Sequence, residues 1–134
     1  PYVDPRRVEA VGASLGVPYM TVAAATDQRV TRLWAVHGAG RSRDLIAHNA
    51  RASVPRGLRR AAARLTDALL AGPRLTPERW VARVSPRPFI MINAVDDERL
   101  PRRDVLALYD AARPPKALVW MPGRHVRPNR PDLV

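Results

Sequence analysis

Residues 88–95 read PFIMINAV, the most hydrophobic short run in the chain. Eight residues suit a strand better than a helix, and the flanking prolines and Asp96-Asp97 are breakers. A strand this uniformly apolar is expected to be buried on both faces. That happens inside a parallel sheet covered by helices. Few architectures accommodate such a strand.

The remaining segments are read in the same way. Asp4-Pro5 signals a turn. Arg7 to Val11 alternates weakly and stops at Gly12, a short strand. LGVPYMTVAAA (15–25) suits a buried helix, with Pro18 in its first turn, where the missing N–H does no harm. VTRLWAV (30–36) is β-rich and is ended by Gly38-Ala39-Gly40. In PRGLRRAAARLTDALLAG (55–72), Leu58, Ala62, Leu65 and Leu69 recur at helical spacing until Gly72-Pro73. Arg56, Arg59, Arg60 and Arg64 then form the solvated face of that helix. Thr76-Pro77-Glu78 offers an N-cap and a proline at the first helical position, predicting a short helix through Trp80 to about Val84. DVLALYDAAR (104–113) is an amphipathic helix, and ALVWM (117–121) is a second buried strand closed by Pro122-Gly123.

Strands alternating with helices predict βαβ units. The expected fold is α/β, a mostly parallel sheet with helices on both faces. A length of 134 residues allows one domain, within which 41–86 reads as a helical insertion or cap-like region. With no cysteine, disulfides, thiolate metal sites and cysteine nucleophiles are excluded. The three histidines, His37, His48 and His125, share no i, i+4 pairing, so no metal is expected. The net charge of +11 invites a nucleic-acid reading, but the arginines are dispersed along the whole chain and aromatics are only 5%. Solvated arginine is the expectation, and no nucleic-acid partner. No apolar run approaches the ~18 residues of a membrane span, so no membrane partner is expected, and the cytoplasm is the default compartment.

In a parallel sheet, functional side chains gather just beyond the carboxyl ends of strands. Three candidates fall there: Ser14, the pair Asp96-Asp97, and His125. Gly12-Ala13-Ser14-Leu15-Gly16 fits G-x-S-x-G, and serine, acid, histidine is the chain order of one hydrolase architecture. Plainer roles compete for each. Ser14 fits an ordinary turn, Asp96 a cap for the helix near Pro101, and His125 an exposed loop. His37 also follows a strand, with a structural role preferred to a place lining the pocket; His48 reads as a surface or helix residue, and Trp34, Trp80 and Trp120 as core, with shaping of an acyl pocket as the alternative.

GASLG after one strand, INAVDDERLP after a later one and MPGRH after the last resemble the C-terminal half of the α/β-hydrolase family, from the nucleophile elbow onward. Cap-less esterases and dienelactone-hydrolase-like members are the most similar branches. The resemblance implies Ser14 as nucleophile, His125 as proton acceptor and Asp97 as the acid that orients it. Asp97 is preferred to Asp96 because D-E-R-L-P matches the family pattern of acid, two residues, aliphatic, proline. It further implies the Leu15 backbone N–H as an oxyanion donor, with Gly12 and Gly16 relieving crowding at the elbow. Val17 departs from the branches that carry a further glycine there.

Only thirteen residues precede Ser14 and nine follow His125, so the family's upstream strands and final helix are expected to be missing. The partner implied is the N-terminal half of the same domain, which supplies the second oxyanion donor. The elbow strand would then lie at a sheet edge, and the isolated chain would be poorly soluble and at most weakly active. The function expected is a serine hydrolase cleaving a small-molecule carboxylic ester through an acyl-enzyme, with no cofactor. A peptidase or thioesterase on the same fold, and a non-catalytic binding protein, are the alternatives. Oligomeric state is left open by the sequence.

Overall fold

The computed structural model describes residues 4, 6–69 and 72–126. The proline of the expected Asp4-Pro5 turn and the stretch 127–134 lie outside them. Four strands, β1 (Val8–Ala13), β2 (Val30–Val36), β3 (Phe89–Ala94) and β4 (Lys116–Met121), form one sheet in the order β1-β2-β3-β4. All three pairings are parallel. Helix α1 (Gly16–Thr26) joins β1 to β2, and α5 (Arg102–Ala111) joins β3 to β4. Between β2 and β3 run α2 (Ser42–Asn49), α3 (Arg59–Leu69), α4 (Gly72–Leu75) and three single 3-10 turns. The parallel α/β sheet expected from the alternation is what forms.

The helices differ from expectation in where they lie. Residues of one strand parity, Ala10, Leu33, Ala35, Phe89 and Met91, are buried in a single core with Val17 and Ala24 of α1 and Val105 and Leu108 of α5. The opposite parity is open: Val11 is 60% exposed, Val119 46% and Met121 50%. Right-handed crossovers between strands added in one direction keep all helices on one face, which accounts for this distribution. Among the described residues, the second face has no helix. β3 therefore buries one face fully and the other partly, and β4, expected to be buried, alternates as an edge strand. Burying side chains such as Leu33, Phe89, Met91 and Leu108 stabilises the fold by about 1.5–3 kcal/mol each.

Further corrections concern the helical middle. Leu58, Leu65 and Leu69 face solvent, at 61%, 63% and 77% exposure, while Ala63 and Asp67 form the buried side of α3. The reason is a polar anchor. Asp67 accepts hydrogen bonds from Ser42 Oγ at 2.7 Å and Arg43 Nε at 2.9 Å, turning its own side of α3 towards α2. A Cβ at Gly72 would collide with the Asp67 carboxylate, so glycine is required there by that close approach, and α4 begins at this residue where an end was expected. The helix predicted from Thr76 is two 3-10 turns, Pro77–Arg79 and Val81–Arg83, and Thr76 bonds back to the Gly72 carbonyl instead of capping. The three tryptophans are half-buried; Trp120 packs against the core, and Trp34 and Trp80 are not part of it. Trp34 donates to Glu9, while Trp80 and Trp120 lie under Arg83 and Arg102. Asp104, fully buried in α5, has Arg103 Nε 3.4 Å from its Oδ1, yet burial outweighs that cation and pushes its carboxyl above the usual range.

Candidate active site

The carboxyl ends of all four parallel strands open on the same edge of the sheet, and each delivers one side chain to a common point. β1 ends at Ala13, and Ser14 follows with its N–H still bonded to the Val36 carbonyl at 2.9 Å. Its φ of 49° lies in the left-handed region, a sharp bend before α1 that costs a non-glycine residue about 1–2 kcal/mol. The bend leaves no room at residue 12: a Cβ there would lie 2.8 Å from the Val17 Cα and 2.9 Å from the Gly16 carbonyl oxygen. Gly16 differs from expectation, because a Cβ on it meets open space. Crowding does not account for the second glycine. Leu15 stands at the N-cap of α1, where backbone N–H groups have no intrahelical acceptor.

β2 delivers His37, also at a φ of 49°, with its N–H on the Ile92 carbonyl at 2.8 Å. β3 delivers the 96–100 turn. Asp97 Oδ1 accepts the backbone N–H groups of Arg99 and Leu100, at 2.9 and 3.0 Å, which fixes the carboxylate on its own loop. Asp96 is exposed, and α5 has no side-chain cap, so the capping role expected of Asp96 is not found. The nearest equivalent is the Asp97 Oδ1 turn. After β4, Gly123 turns the chain back at a φ of 116°, and its carbonyl accepts the Asp96 N–H at 3.2 Å. His125 then points inward.

These residues meet. Ser14 Oγ lies 2.9 Å from His125 Nε2, and His125 Nδ1 lies 2.7 Å from Asp97 Oδ2. An ionised carboxylate only accepts, so Nδ1 donates to Asp97 and Nε2 is left to accept the Ser14 hydroxyl proton. The Asp97 and His125 side chains are both 2% exposed, so their hydrogen bond is shielded from water and charge-assisted. His37 Nδ1 reaches the same Asp97 Oδ2 at 2.9 Å, and the two imidazoles stand edge to face with centroids 5.0 Å apart. Among the described residues, His37, Asp97 and His125 are the one trio whose potential metal-ligand atoms come within 4.8 Å of one another. Both Nδ1 atoms are already committed to hydrogen bonds with Asp97.

A cavity of about 320 Å³ opens above Ser14, His37 and His125. Pro18 and Tyr19 of α1 form one wall, Leu45 and Ile46 of α2 another, and Leu75 and Leu100 close it. The lining is predominantly apolar, and α2 brings the 41–86 region directly over the serine. Of the residues singled out in the sequence, Ser14, Asp97 and His125 are brought together, with Leu15 and Gly12 beside them. His37 was read as structural and stands in the same cluster. Its signal is present: like Ser14, it directly follows the last residue of a parallel strand. His48 lies on α2 with Nε2 on the Glu98 carbonyl at 3.0 Å.

No family model and no curated protein sequence matches the chain. Solved structures do. The α/β hydrolase GrgF from Penicillium sp. sh18 aligns with a TM-score of 0.66 at 24% identity, over 94% of this chain and 58% of its own. The esterase domain of a Rhodothermus marinus protein aligns at 0.62 and 20% identity, over 89% of this chain and 51% of its own. An esterase from Pyrococcus furiosus aligns at 0.68 and 16% identity, over 91% of this chain and 46% of its own. The chain has an α/β-hydrolase fold, and it spans little more than half the length of these structures or less.

Proposed function

We propose that the chain carries the nucleophile-elbow half of a serine hydrolase acting on carboxylic esters with an apolar acyl group. The reading is carried by one observation, the continuous path Ser14 Oγ, His125 Nε2, His125 Nδ1, Asp97 Oδ2, with steps of 2.9 and 2.7 Å, opening on an apolar cavity. Esterases and hydrolases among the similar folds are consistent with it.

In this reaction Ser14 Oγ attacks the ester carbonyl carbon while His125 Nε2 takes the hydroxyl proton. Asp97 holds the Nδ1–H and stabilises the imidazolium that forms. Negative charge developing on the carbonyl oxygen is met by the Leu15 N–H at the start of α1. One such donor is worth about 2.7–4 kcal/mol in the transition state. The tetrahedral intermediate collapses as His125 returns its proton to the leaving alcohol, giving an acyl-Ser14 ester. Water, deprotonated by the same nitrogen, then releases the acid. The side chains of Leu45, Ile46, Leu75 and Leu100 suit an aliphatic acyl chain. No cofactor enters any step, and the cap-like role belongs to α2.

The test is a matched panel: p-nitrophenyl esters of increasing acyl length, with the thioester and anilide of the best acyl group. Fastest turnover is expected on an ester of short to medium aliphatic chain. Preference for the thioester or anilide would replace the ester reading with a thioesterase or peptidase.

A further inference from the structure

The Asp97 carboxylate has more donors than the proposed reaction uses. Oδ1 takes two backbone N–H groups, and Oδ2 takes both His125 Nδ1 at 2.7 Å and His37 Nδ1 at 2.9 Å. His37 makes no hydrogen bond to Ser14 or His125; its side-chain hydrogen bond goes to the acid, while its ring stands edge to face with that of His125. The chain is built to place it there. Its backbone lies in the left-handed region at φ 49°, a conformation uncommon for a residue other than glycine. Its N–H is pinned to the Ile92 carbonyl, and the next carbonyl, Gly38, accepts the Nδ2–H of Asn93, which is 1% exposed. A Cβ on Gly38 would press to 3.1 Å on Ala35 and 3.2 Å on Val17, so the turn that carries His37 is closely packed from behind. The His37 side chain is itself only 13% exposed.

We propose that His37 is a positioning residue for the acid, resting on the reading of Ser14, His125 and Asp97 as a hydrolase site. Its Nδ1–H fills the second lone-pair direction of Oδ2. With all four acceptor directions of the carboxylate occupied, Asp97 cannot swing away from His125 when the imidazolium forms. One carboxylate oxygen is thereby shared by two histidines, one that moves protons and one that holds the acid still. No step of the reaction passes a proton through His37.

Three proteins decide the matter: the full-length wild type, His37→Asn and His37→Gly. An asparagine Nδ2 sits nearly where the histidine Nδ1 does and tolerates positive φ, so the donor and the turn both survive. Glycine keeps the turn and removes the donor. On a short-chain p-nitrophenyl ester, His37→Gly is expected to lose about tenfold in kcat with KM unchanged, and His37→Asn to stay within about threefold of wild type. Fluorophosphonate labelling of Ser14 should follow the same order. In ¹⁵N-histidine spectra of the wild type, His37 should carry its proton on Nδ1. Wild-type kcat in folded His37→Gly, an Asn variant as slow as the Gly variant, a loss confined to KM, or a His37 protonated only on Nε2 would each overturn the proposal. The spectrum does so even if the glycine variant fails to fold. Failure of the wild type itself to label at Ser14 sinks the underlying hydrolase reading, and the role of His37 with it.

Discussion

Asp97 and Asp67 are both carboxylates with side chains 2% exposed, and they show how differently two regions of this molecule are held. At the strand ends, Asp97 is surrounded by donors whose positions are set by the sheet. Two are backbone N–H groups of its own turn, and two are histidines rooted by the ends of β2 and β4. In the helical 41–86 region, Asp67 is the tie itself. It joins α3 to Ser42 and Arg43 of α2, and Arg43 is 60% exposed. One region places a carboxylate by rigid backbone; the other places backbone by a carboxylate. The first arrangement suits chemistry that tolerates little displacement, and the second suits a wall over a cavity.

The largest expected effects are at the strand ends. Ser14→Ala should abolish ester turnover, a fall of roughly 10⁴-fold or more, and Asp97→Asn should cost about 10³–10⁴-fold in kcat, read by steady-state assay with circular dichroism confirming the fold. A modest loss in either would erase the distinction between the two regions. Asp67→Ala should lower stability by about 2 kcal/mol in chemical denaturation, because Ser42 and Arg43 lose their acceptor, while Ser14 still labels. If Ser14 labelling vanished instead, the helical region would be part of the catalytic frame and not a wall over it.

Asp104→Asn should do the reverse and stabilise the fold by about 1 kcal/mol at neutral pH. Burial raises its carboxyl, so the folded state binds that proton more tightly than the unfolded chain. The burden of the ionised form is therefore full above the folded value and fades as pH falls through it, and the gain in the variant should fade likewise. A gain that grows on acidification would contradict the assignment. The smallest effect belongs to Leu65→Gln on the exposed side of α3, expected within about 0.5 kcal/mol of wild type by thermal melting.

What was legible in the sequence follows the same division. PFIMINAV, VTRLWAV and ALVWM announced strands because strand identity is local, and the residues just past them announced the site because parallel strands end together. Choosing Asp97 over Asp96 depended on a family pattern, and the register of β3 and its turn aims Asp97 inward. The helix expected within 55–72 forms, but its leucines face solvent for a physical reason. Leu58, Leu65 and Leu69 keep helical period, but period says only that one side is apolar, not that it faces the core. A buried polar anchor, Asp67, outweighed the leucines, and its partners Ser42 and Arg43 stand more than twenty residues away. The bare sheet face was hidden too, because coverage depends on strand order, which no single segment encodes. His37 was undervalued for want of its partner: alone it is a histidine after a strand, and its meaning comes from Asp97, sixty residues on.

The central claim is that Ser14 is an activated nucleophile, made so by His125. The most direct measurement is fluorophosphonate labelling with peptide mass mapping, run on the full-length protein and on His125→Ala. A single adduct on Ser14 is expected in the wild type, and its loss in the variant. A folded wild type with no adduct on Ser14, or equal labelling in both proteins, would contradict it.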